Sequence, residues 1–134
     1  MFGWFRRFRV SKDEIDVIDG DSINYRRGGW PDGQTEGTVR YRLEGYDSPE
    51  LRAKSEHEAE WAADAKEFLK WLIGEARSLK IEPTGERTPR GDPVAILYID
   101  GVAAASLMIG EGAGKLPEWR EGRMMRPKWQ DTEG

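Results

Sequence analysis

The chain has no cysteine, a single histidine (His57) and no long apolar run. Without cysteine there is neither a disulfide framework nor a thiolate metal site, and the redox compartment stays open. One histidine and no thiol disfavour a zinc centre. No stretch approaches the roughly 20 apolar residues of a membrane helix, so no membrane span is expected. An excess of positive charge is also lacking. The formal net charge is −4 and the pI about 5.2, which argues against a protein that coats nucleic acid, since such proteins displace counterions with a basic face. An enzyme that must release its product tolerates the same balance.

What is present suits one domain. At 134 residues a second core would be starved of apolar side chains, because domains commonly run to about 100–150 residues. The 37% hydrophobic and 10% aromatic content is enough to exclude wholesale disorder. A single unit over 1–134 is expected, with its core over about 13–114 and a tail over 115–134; a monomer is anticipated. The start, W-F-R-R-F-R, is aromatic and basic, and its arginines interrupt any apolar run of the signal-peptide kind, which gives a cytoplasmic reading. Trp4, Phe5 and Phe8 are expected to pack on the body from an N-terminal strand rather than to anchor at a membrane surface.

Ile15, Val17, Ile23 and Tyr25 suit two strands of a hairpin about the turn dipeptide Asp19-Gly20. The Gly- and Pro-rich segment Arg26 to Thr38 reads as a loop. Val39 to Gly45 alternates as a third strand, with Val39, Tyr41 and Leu43 on one face and Arg40, Arg42 and Glu44 on the other. From Ala53 to about Ala76, Trp61, Ala65, Phe68, Leu69, Leu72, Ile73 and Ala76 recur with helical spacing. Leu79 to Glu82 reads as a fourth strand, Pro83 to Asp92 as a polar loop, and Pro93 to Ile99 as a fifth strand ended by Asp100-Gly101. A shorter helix follows near Ala103 to Ile109. The pattern is α+β: five short strands closing an OB-like β-barrel, flanked by two or three helices.

Two acidic elements punctuate the strand ends, D-G-D-S at Asp19 to Ser22 and Y-D-S-P-E at Tyr46 to Glu50. Asp21 and Asp47 projecting into one pocket would supply two hard carboxylates, and the backbone carbonyl of Ser48 with waters would complete a calcium-like shell. Glu50, after a proline that fixes the chain, is placed to take a proton from a water or to position it. Arg42, five residues before Asp47, offers parallel donors to the oxygens of a phosphate and gains strength as their charge grows in the transition state. Acid, metal and arginine together suggest phosphodiester hydrolysis. Asp19 reads as a turn former, and His57, among acids on the helix, as exposed.

V-I-D-G-D-S, R-Y-R-L-E-G-Y-D-S-P-E and V-A-I-L-Y-I-D-G, in that order and spacing, resemble the staphylococcal nuclease (thermonuclease) family over roughly Ile15 to Gly114. The tail L-P-E-W-R-E-G-R-M-M-R-P-K-W is similar to the ending of short bacterial members. The resemblance implies a Ca2+-dependent nuclease that cleaves DNA and RNA with little sequence preference, the 5′ oxygen leaving and a 3′-phosphate remaining. Its substrates would be single-stranded or locally open DNA and RNA. It makes Asp21 and Asp47 the calcium ligands with the Ser48 carbonyl, Glu50 the general base and Arg42 a phosphate clamp.

One element departs from that pattern. The family places a second catalytic arginine immediately before the fifth strand, where this chain has R-T-P-R-G-D-P-V-A and alignment on the strand puts Asp92. Either Arg90 reaches the same phosphate from a flexible loop, or the site is weakened, since removing one charged transition-state donor costs on the order of 10²–10³ in rate. The nucleotide-stacking tyrosines are also missing, with Trp119 and Trp30 as substitutes. The alternative function is therefore an OB-like module that binds nucleic acid or a protein partner without effective catalysis.

Overall fold

The computed structural model describes residues 6–30, 37–49, 56–115, 118–120 and 123–125. The chain is α+β. A first strand, β1 (Phe8–Val10), leads through a 3₁₀ turn (Lys12–Glu14) into β2 (Ile15–Asp19), β3 (Ser22–Tyr25) and β4 (Val39–Leu43). The long helix α1 (Glu56–Glu75) follows, then β5 (Leu79–Arg87), β6 (Pro93–Ile99), β7 (Val102–Ala103) and α2 (Ala104–Gly110). A hairpin of β8 (Glu118–Arg120) and β9 (Arg123–Met125) closes the described chain. No described helix is long and apolar enough to cross a membrane.

The main sheet is mixed and curled, in the order β1-β5-β6-β4-β3-β2, with β7 paired to β6. All pairs are antiparallel except β4 with β6, where Arg42 lies against Val94 and Leu43 against Ala95. Its two edge strands, β1 and β2, are consecutive in sequence and joined only by residues 11–14. So short a link spans at most about 17 Å, so the opposite edges are drawn toward each other and the sheet takes a barrel-like curl. Inside it lie Val17, Ile23, Tyr41, Leu43, Leu79, Ile81, Ala95, Leu97 and Ile99, all buried. Ala65, Leu69 and Ile73 of α1, Ala76 just after it and Met108 of α2 cover them. The period-2 pattern of the strands and the helical spacing of α1 are thus two sides of one core.

Several expectations need correcting. The strands are more than five: β7, β8 and β9 join the five expected and the N-terminal strand β1. These additions are each two or three residues long, too short for alternation to register in the sequence. The fourth strand also runs past Glu82 to Arg87, through Pro83. Pro83 is tolerated because, among the described residues, β1 pairs with β5 only as far as Ile81, so no strand on that flank calls for a proline N–H. The register with β6 slips between Pro83 and Arg87. In the first hairpin Asp19 pairs with Ser22, which makes Gly20-Asp21, rather than Asp19-Gly20, the two-residue turn. Phe8 meets Tyr25 edge to face at 5.6 Å, as the expected packing of the N-terminal rings requires. Trp4 and Phe5, the helix start at Ala53, and Trp129 lie outside the described residues.

Candidate active site

The turn between β2 and β3 and the segment after β4 meet at one end of the sheet because β3 and β4 are paired from Ser22 opposite Arg42. That register sets Asp21, just before Ser22, beside the chain that leaves β4. The Leu43 N–H donates to the Asp21 carbonyl at 2.8 Å. The phenol of the buried Tyr46 donates to the Gly20 carbonyl at 2.5 Å. Gly20 is required by close approach: a Cβ there would sit 2.8 Å from the Ser48 side chain and 2.9 Å from Ala65. From the other side, Asp47 and Lys115 exchange backbone hydrogen bonds at 2.8 and 2.9 Å, tying the segment to the chain after α2.

Asp21, Asp47 and Ser48 are consequently buried, at 5%, 2% and 2% exposure. Asp21 Oδ2 accepts the Ser48 N–H at 3.0 Å, and its Oδ1 accepts the Ser22 hydroxyl at 3.2 Å. The Arg42 Nη2 stands 3.0 Å from Asp21 Oδ2 and is also paired with Asp47 Oδ1. It donates as well to the Tyr46 carbonyl at 3.2 Å. One guanidinium nitrogen touching both carboxylates shows that their oxygens converge on a common point.

The electrostatics follow from burial. Desolvation holds the Asp21 carboxyl well above its usual range, with Arg42 opposing it. Arg42 is pulled down by its own desolvation, but the two aspartates outweigh that and raise it. Burial, and then the Asp21 charge, push the Tyr46 phenol well up, so it remains a donor. A buried pair of carboxylates around one arginine is expensive to desolvate and is weak evidence for stability; it is better explained by a ligand that uses it.

The cleft that these groups line measures about 690 Å³ and is bordered by Ile18, Asp19, Asp21, Ser22, Arg40, Arg42, Asp47, Ser48, Pro49, Thr88, Pro89, Arg90 and Asp92. Five of the six residues expected from sequence, Asp21, Asp47, Ser48, Arg42 and Arg90, therefore share one cleft, although they come from three separate parts of the chain. The sixth, Glu50, lies outside the described residues. The loop that carries Arg90 is closed as a turn: the Gly91 N–H donates to the Thr88 carbonyl at 2.8 Å and the Thr88 N–H to the Asp92 carbonyl at 2.8 Å. Arg87 closes the turn by donating to the Gly91 carbonyl at 2.6 Å, and Gly91 takes the left-handed φ of +94°. The turn shows Arg90 to the cleft wall and to solvent.

Three charged lining residues were not among the expected site. Asp19 is a turn former as expected, accepting the Asp21 N–H at 3.2 Å, yet it also borders the cleft. Asp92, which alignment puts where the family carries its second arginine, stands 3.7 Å from Arg40. Arg40 shares the outward face of β4 with Arg42, a fact already visible in the alternation of that strand. Trp30 is not in the cleft wall; its indole N–H donates to Thr38 at 3.2 Å. The side chain of Trp119 lies outside the described residues.

The donor set fits a hard divalent cation. Two carboxylates with converging oxygens meet in a cleft that offers neither sulfur nor imidazole. Among the described residues no group of three or more Asp, Glu, His or Cys gathers as a metal site, so backbone oxygen and water would have to complete the shell around Asp21 and Asp47. Comparison of the sequence with protein-family models and with curated proteins finds no match.

Proposed function

We propose that the chain is a calcium-dependent nuclease of the staphylococcal nuclease type, hydrolysing phosphodiester bonds of single-stranded or locally open DNA and RNA on an OB-like barrel. The observation that carries this reading is the meeting of Asp21, Asp47, Ser48 and Arg42 in one cleft. Two buried carboxylates beside an arginine are the parts that charge neutralisation of a phosphodiester calls for.

In this reading Asp21 and Asp47 hold the calcium ion, with the Ser48 carbonyl among its further oxygen ligands. When bound, the ion supplies positive charge that polarises a phosphoryl oxygen. Arg42 then has a second task. Its contacts to the two carboxylates are to be exchanged for contacts to a phosphate oxygen, and its planar fork strengthens as charge accumulates on the phosphorus oxygens. Glu50 takes the proton of the attacking water or orients that water, and the 5′ oxygen departs, leaving a 3′-phosphate. Arg90, which borders the same cleft, assists the leaving oxygen in this reading. Tyr46 stays protonated and positions the Gly20-Asp21 turn.

The second reading, a binding module with little catalysis, is favoured by one feature, the Asp92 carboxylate in the cleft wall where the family carries an arginine. Cleavage assays with single-stranded DNA and RNA separate the two. The nuclease reading predicts products that end in 3′-phosphate. It also predicts loss of about 10²-fold or more in rate on Arg42→Lys, which keeps the charge but not the fork, and comparable loss on Glu50→Gln. Folded wild-type protein that binds these strands without cutting them supports the module instead.

A further inference from the structure

We propose that Arg40 is a second phosphate-binding residue of the cleft, taking the phosphate next to the one held by Arg42 on an extended single strand; this rests on the nuclease reading above.

The case begins with the periodicity of β4. Tyr41 and Leu43 are buried, so Arg40 and Arg42 share the opposite face, and both border the cleft. Residues two apart on a strand are separated by about 6.6–6.8 Å. Two amino-acid residues and one nucleotide each contain six backbone bonds, so an extended strand of nucleic acid laid along β4 repeats its phosphates at a closely similar interval. On the paired strand β3, Ser22 lies opposite Arg42 and Asn24 opposite Arg40. Both arginines are thus flanked on that side by a polar residue of β3.

The state of Arg40 fits such a task. Its Nε stands 3.7 Å from Asp92 Oδ2, with side-chain exposures of 42% and 31%. That distance is an ion pair and too long for a hydrogen bond, so Asp92 restrains the guanidinium while leaving its donors available. Arg42, by contrast, is occupied by Asp21, Asp47 and the Tyr46 carbonyl. The two arginines divide the work: Arg42 belongs to the reacting phosphate and Arg40 to the neighbouring one, where it fixes the register of the strand.

The test couples one side chain to one phosphate. Trithymidylate, which carries two internal phosphates, and its two forms with a single neutral methylphosphonate linkage are titrated in chelator against wild type and Arg40→Ala, with chemical shifts as the readout. Arg40 is largely exposed, and a thermal melt checks that the variant is folded. In wild type, neutralising one particular linkage is expected to weaken binding about tenfold, as for loss of one charge-assisted contact. Arg40→Ala should bind the full trinucleotide about tenfold more weakly and lose less than about twofold more with that linkage neutral. Its salt dependence should fall by about 0.7 in log–log slope, the value for one phosphate contact on a single strand. If the two losses multiply independently, or Arg40→Ala binds as wild type does, the proposal is overturned while calcium-dependent cleavage can still stand. If the coupling is found in a protein that never cleaves, the nuclease reading falls and Arg40 keeps its phosphate. Absence of any binding by wild type overturns the proposal, whereas only absence of calcium-dependent cleavage overturns the nuclease reading.

Discussion

Asp21 shows how a site is built at the expense of its fold. Its carboxyl is held well above the usual carboxylate range chiefly by burial, against the pull of Arg42. A raised folded-state value means that the native protein favours the protonated form. The stabilising contribution is therefore complete below the ordinary value of 3.8 and is lost as pH rises through the folded-state value. At neutral pH, without metal, the buried Asp21 carboxyl therefore opposes folding. Asp21→Asn is accordingly expected to raise the melting temperature at pH 7 in chelator, because Arg42 retains Asp47 as its partner. The gain should shrink as the pH is lowered toward 4, and calcium should reverse the order by stabilising wild type alone. Melts at several pH values check this; a melting temperature that falls equally at all of them would mean that Asp21 serves the fold and not a ligand.

Residues of this kind were legible in the sequence because hard oxygen donors at two strand ends have few other uses in combination. Arg40 was equally visible on its face of β4, but a single charged residue on a solvated face carries no signal until the cleft beside it is known. Asp92 could be placed against the strand that follows it, yet its partner lies some fifty positions earlier in the chain, and only the parallel pairing of β4 with β6 brings the two together.

At the scale of elements, the site depends on the close seating of the β2–β3 turn against the segment after β4. Gly20 lets that happen: a methyl group there would meet Ser48 at 2.8 Å and Ala65 of α1 at 2.9 Å. Those atoms lie on two different elements, so neither can yield without the other. Gly20→Ala is expected to destabilise the domain by about 1–3 kcal/mol, as overpacking usually does. It should also weaken calcium affinity by moving Ser48 away from Asp21, which urea unfolding and calcium titration of the same variant measure together. An unchanged protein would show that the turn has slack. The sequence could not reveal this contact, because D-G is a turn signal whether or not anything presses on the glycine. For the same reason, the turn was displaced by one residue from the position read in the sequence. The strongly periodic β6 and the C-terminal end of α1 were legible almost to the residue, whereas β7, β8 and β9 are defined by their partners and not by their own pattern.

For the whole molecule, the distribution of charge matters more than its sum. The protein carries a net charge of −4, yet Arg40, Arg42 and Arg90 all border the cleft together with Asp19, Asp21, Asp47 and Asp92. A divalent cation on Asp21 and Asp47 would turn the balance of this wall positive without changing the rest of the surface, which suits a substrate drawn to the cleft and a product that must leave. Asp92→Asn removes one acid from the wall and is expected to tighten binding of a short single-stranded oligonucleotide by about two- to fivefold at low salt. The effect should fade toward 1 M salt, where the Debye length is about 3 Å. Anisotropy titrations across ionic strength check it; weaker binding at every salt concentration would instead make Asp92 indispensable for holding Arg40. The chain that links β1 to β2 keeps the two edges of the sheet together.

The most direct measurement is the rate of single-stranded DNA cleavage as a function of calcium concentration, for wild type and for Asp47→Asn. Wild type should cleave with a saturable dependence on calcium and stop in excess chelator. Asp47→Asn, folded to the same extent, should lose about 10²-fold or more of the rate at any calcium concentration. Cleavage that persists in chelator or is untouched by the substitution, or no cleavage by the folded protein at saturating calcium, would contradict the account.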